Sequence, residues 1–132
     1  MRNRTKRSLL ASLAALGVMC ATMPALADAR TEARAHFKKG MSMISNGQYD
    51  EGIEQLKVAY DTLPHPNVLY NIARAYVEMG DLENAIKYYK DYAQTNPPDK
   101  EEVTAVVAAL EQRIARQRAT LAAAEAAAQP GA

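Results

Sequence analysis

Thiols, aromatic bulk and long apolar runs are scarce in this chain. Of its 132 residues one is cysteine, Cys20, one is phenylalanine, none is tryptophan and two are histidine, His36 and His65. One cysteine cannot close an intrachain disulfide, and Cys20 stands inside an N-terminal apolar stretch. His36 and His65 are not spaced as metal ligands with each other or with a carboxylate pair, so no metal site is expected. No serine stands in a Gly-x-Ser-x-Gly turn, and glycine serves helix ends, not a phosphate-binding loop. These shortages argue against an enzyme and against a bound cofactor. Sixteen Lys and Arg stand against fifteen Asp and Glu. That balance points to neither a nucleic-acid partner nor an anionic membrane surface.

What the chain does have begins with an address. Arg2, Arg4, Lys6 and Arg7 form a basic start, Leu9 to Met23 is apolar apart from Ser12 and Thr22, and Ala25-Leu26-Ala27 has the small-x-small form of a signal-peptidase site. Residues 1–27 are expected to be a cleavable secretory signal, with Asp28 the first mature residue. A retained anchor would need roughly 20 apolar residues, more than this run supplies. Met19 before Cys20 disfavours lipidation, and Thr5-Lys6-Arg7 departs from the twin-arginine pattern at Lys6. Cleavage takes Cys20 and four basic residues with it, leaving 105 residues with twelve Lys and Arg against fifteen Asp and Glu. The mature chain is expected to be exported, in the periplasm or secreted, without inserting in a membrane.

The mature chain is punctuated for helices. Ala29 to Ser45 carries Ala33, Phe37, Gly40, Met41 and Ile44 at spacings of three and four, and Asn46-Gly47 ends it. Tyr49 to Leu63 follows, stopped by Pro64-His65-Pro66. Asn67 is expected to cap a third helix to about Met79, and Asp81 a fourth from Leu82 to Thr95. Asp99 and Glu102 have the spacing of a capping box opening a fifth helix, whose stripe of Val103, Val106, Val107, Leu110, Ile114 and Leu121 predicts packing as far as Leu121. Residues 122–132 are expected to be a frayed or disordered Ala-rich tail.

Shifted by 33 residues the chain overlies itself: Gly40 falls on Ala73, Gly47 on Gly80, Tyr49 on Leu82, Ile53 on Ile86, Leu56 on Tyr89 and Pro64 on Pro97. In the second unit Leu69, Ile72-Ala73, Tyr76, Gly80-Asp81, Ala85, Tyr89 and Pro97 occupy the signature slots of the tetratricopeptide repeat, which the chain resembles. The first unit is more divergent, keeping Gly40, Gly47, Tyr49, Leu56, Ala59 and Pro64 but placing His36, Lys39 and Gly52 where the family has larger apolar residues or alanine. Tyr92 stands at a slot that is usually alanine, which predicts a wider spacing there. The resemblance implies an all-α short solenoid: two tandem helix pairs, about residues 33–64 and 66–97 within a 28–98 repeat region, and a capping helix over 99–121.

It also implies a function, the binding of another protein or peptide segment on the surface lined by the first helix of each pair. By helical spacing that surface is expected to carry Phe37, Met41 and Ile44 from the first unit and Tyr70, Asn71, Arg74, Val77 and Glu78 from the second, suited to an apolar stretch with a polar or acidic end. Against this stands a rotation of the first helix that buries Phe37 and Met41. Two function classes follow: an exported adaptor or scaffold in a cell-envelope assembly, or a structural subunit that self-associates through its fifth helix with no separate ligand.

Overall fold

The computed structural model describes residues 23–129 and 131; the basic start and most of the expected signal lie outside the described residues. Five helices follow in order, α1 (Met23–Ser45), α2 (Tyr49–Thr62), α3 (Pro66–Met79), α4 (Leu82–Gln94) and α5 (Lys100–Ala128), with no strand among the described residues. The helices pair as α1 on α2 and α3 on α4, with α2 seated on α3 and α5 on α4.

The breaks arise from backbone chemistry. Gly47 and Gly80 take φ of +80° and +87°, the left-handed conformation that stops a helix at little cost to glycine. Asp81 accepts from the Asn84 amide at 3.1 Å and caps α4 as expected. At α3 the cap is His65, whose Nδ1 accepts from the Asn67 amide at 3.3 Å. Pro66 then fills the first helical position, where its missing donor costs nothing, and Asn67 falls inside the helix. The capping box at α5 does not form: the Asp99 side chain makes no cap hydrogen bond and instead accepts from the Tyr92 hydroxyl at 2.8 Å. α5 continues through Ala128, past the end expected at Leu121, because alanine is the best helix former even where nothing is buried. α1 likewise begins at Met23, ahead of the expected Ala29, across an alanine-rich stretch.

Two clusters make the core. Ile53 and Leu56 of α2 meet Val68, Ile72 and Ala75 of α3. Leu69 and Ala73 of α3, Leu82, Ala85, Tyr89 and Tyr92 of α4, and Val103, Val107 and Leu110 of α5 form the other. α1 and α2 approach at two glycines. A Cβ at Gly40 would stand 2.7 Å from the Gly52 carbonyl oxygen, and one at Gly52 would stand 2.6 Å from Ile44 Cγ1. Gly52 is therefore small for its own helix pair. Lys90 to Glu111 at 2.8 Å and Arg118 to Glu83 at 2.7 Å tie α5 to α4 on the surface, where such pairs add only tenths of a kcal/mol.

Tyr92 is buried with its ring centroid 5.4 Å from that of Tyr70, and it reaches α5 through both its ring and its bond to Asp99. Tyr88 stacks on Tyr76 at 5.6 Å and 24°. Replacing Tyr92 by Phe removes one hydrogen bond to a carboxylate and is expected to cost about 1–2 kcal/mol in denaturant unfolding. The same contact shapes the alkaline limit. The bond to Asp99, then burial, raises the Tyr92 pKa above the ordinary 10.0, and burial does the same for Tyr88 and Tyr89. The folded state thus favours the neutral hydroxyls, a contribution fully present below pH 10 and lost as pH rises through the folded values. Stability is expected to be level with respect to these groups through neutral pH and to fall above about pH 10, with a shallower fall in Tyr92→Phe.

Candidate functional site

Of the eight residues expected to line a groove, five pack against the two core clusters and three, Asn71, Arg74 and Glu78, belong to neither. Phe37, Met41 and Ile44 of α1 are half-buried and pack against the cluster of Ile53, Leu56, Val68, Ile72 and Ala75. Tyr70 and Val77 of α3 are half-buried against the other cluster, with Tyr70 meeting the Tyr89 ring edge-on at 5.6 Å. Asn71 donates its side-chain amide to the Asn67 carbonyl at 2.7 Å. Arg74 and Glu78 are exposed one turn apart, with 3.8 Å between Arg74 Nη2 and Glu78 Oε1. Of the eight, Arg74 and Glu78 are the exposed ones, and a pair so exposed opens readily to an incoming charge.

Two glycines set the rotation of α1. With Gly40 against Gly52, His36 faces α2, where its Nδ1 lies 2.9 Å from Gln55 Oε1, and Lys39 turns to solvent. A basic stripe runs beside them on α1. Arg30, Arg34 and Lys38 recur every four residues, all exposed and without an ion-pair partner among the described residues. Their spacing was the signal: four-residue steps place them on one stripe of α1.

A concavity lies between α2, α3 and α4. It is an open cleft of about 530 Å³ lined by Lys57, Tyr60 and Asp61 of α2, Leu69 and Ile72 of α3, and Tyr88, Asp91, Gln94 and the adjoining Thr95 from α4. No group of three or more His, Cys, Asp or Glu among the described residues could hold a metal ion. No described helix is long and apolar enough to cross a membrane.

Known proteins share this pattern. The sequence model of the tetratricopeptide repeat matches residues 43–110, just over half of the chain. The photosystem I assembly protein Ycf3 of Rippkaea orientalis is 34% identical over 70 residues, covering 50% of this chain and 40% of that protein. Ycf3 of Cyanophora paradoxa is 34% identical and that of Synechococcus elongatus 33% identical over the same length and coverage. The chain thus matches less than half the length of these relatives.

Proposed function

The chain belongs to the tetratricopeptide repeat family, and from that premise we propose that it is a non-enzymatic docking module, exported to the cell envelope, that holds a segment of another protein during an assembly. The relatives named for photosystem I assembly support the assembly role in kind, without fixing the partner. The observation that carries the reading is the tandem stack itself, whose first helices α1 and α3 present Arg34, Lys38 and Arg74 at the surface beside half-buried Phe37, Met41 and Tyr70. Such a surface suits a segment that alternates apolar and acidic residues.

Export is supported by what packing ignores. No residue from Ala25 to Glu32 is buried, and every residue named in the two core clusters stands after a cut at Ala27. The protein recovered from its host is expected to begin at Asp28.

The experiment is partner capture from an envelope extract by immobilised wild-type chain and by Arg74→Glu. Arg74 is exposed and outside both cores, so its reversal is expected to deplete the captured partner while shifting stability by less than about 0.5 kcal/mol. Tyr70→Ala does not isolate binding, because Tyr70 packs against Tyr89 and Tyr92. A second reading, self-association through α5, rests on the exposure of Val106 and Leu121. A mass that rises with concentration in light scattering would favour it.

A further inference from the structure

We propose that the cleft between α2 and α4 is a second docking site, which takes a lysine or arginine side chain from an extended segment of a partner protein. The inference rests on the repeat fold but not on the α1 and α3 surface. It would make the module a bridge between two segments.

Three features of the cleft select an amphipathic cation. Its floor is apolar, Leu69 and Ile72, and its walls carry the half-buried Tyr60 and Tyr88. Tyr88 is held by its stacking on Tyr76 at 5.6 Å. Its rim carries Asp61 and Asp91, which have no ion-pair partner among the described residues, while the one lining cation, Lys57, is already bonded to Glu54 at 2.7 Å. Asp61 and Asp91 also sit in the last turns of α2 and α4, where neither helix has a basic residue. Carbonyl groups at a helix C-terminus make the local potential negative, so each carboxylate stands where its own helix disfavours it.

Other ligands fit less well. An anion would meet two carboxylates and two helix C-termini. A wholly apolar group would cover the carboxylates without pairing them, at the cost of their desolvation. A lysine or arginine lays its aliphatic stem along the floor and walls and turns its charged head to the rim. Tyr88 already attracts one cation, since Lys87 Nζ lies 5.4 Å from its ring centroid.

The test is titration of the whole chain with the peptide acetyl-Ala-Leu-Arg-Leu-Ala-amide, followed by amide chemical shifts. The control peptide carries citrulline in place of arginine, keeping shape and losing charge. Shifts are expected at Tyr60, Asp61, Tyr88 and Asp91, with binding about tenfold weaker for the citrulline peptide and for the D61N/D91N chain. Neither aspartate is engaged in an ion pair among the described residues, so that variant should melt as the wild type does. Should the double variant not fold, the citrulline comparison alone decides. Equal binding of the two peptides, the absence of shifts in the cleft, or shifts confined to residues 70–78 would overturn the proposal. Binding of free argininamide as tight as that of the peptide would assign the cleft to a small molecule and overturn it as well.

Discussion

A chain that ends at Asp99 loses its sharp thermal transition, whereas one that ends at Leu121 keeps it. α5 contributes Val103, Val107 and Leu110 to the cluster that also holds Leu69, Leu82, Tyr89 and Tyr92. Burying three such side chains stabilises by roughly 5–8 kcal/mol, which is comparable to the whole stability of about 5–15 kcal/mol expected of a small domain. Removing α5 also takes away one side of the cluster that holds Tyr89 and Tyr92. Two helix pairs are fewer than the three or so units that usually stand unaided. Among the described residues beyond Leu121 none is buried, and Leu121 is itself 63% exposed, so the chain that ends at Leu121 keeps both clusters intact. A cooperative transition in the chain ending at Asp99, read by circular dichroism, would mean that the second pair closes its core without α5.

Leu56→Ala is expected to lower stability by about 3–4 kcal/mol, within the range for emptying a fully buried leucine site. Leu56 has no exposed surface and joins Ile53 to Val68, Ile72 and Ala75 across the seam between the two pairs. The site cannot collapse easily. On its other side lies Gly40, whose Cβ, were there one, would stand 3.1 Å from Leu56 Cδ2, and the helix around Gly40 is already against Gly52. For a domain of this size the loss corresponds to a melting temperature lower by roughly 12–30 °C. Val58→Ala on the same helix, where Val58 is 39% exposed, serves as the control and should cost under about 1 kcal/mol. A small effect at Leu56 would contradict the packing of α2 on α3.

Much of this fold is legible in the sequence because its stops are chemical. Gly47, Pro64, Gly80 and Pro97 act locally, through φ and missing donors, and the helices between them fall within a few residues of where the punctuation places them. The errors lie where a local rule had a rival. At α3 both His65 and Asn67 could cap, and Pro66 at the first helical position decided for His65. At α5 the Asp99 carboxylate could cap its helix, but the Tyr92 hydroxyl arriving from α4 took it. The rotation of α1 depends on Gly40 and Gly52 meeting across a helix pair, and a linear pattern of apolar residues does not contain that meeting. Helical spacing, which assigns the eight residues to the expected groove, sorts residues by face without saying which face a neighbour covers. The cleft was not visible at all, since its lining comes from three helices and its negative character from where two of them end.

The docking function is tested most directly by the paired capture with wild-type and Arg74→Glu chains, run on envelope extract with melting temperatures measured on the same preparations. The expected result is a partner held by the wild type and depleted on Arg74→Glu, with the two chains melting together. Equal capture by both chains would contradict docking on the α1 and α3 surface.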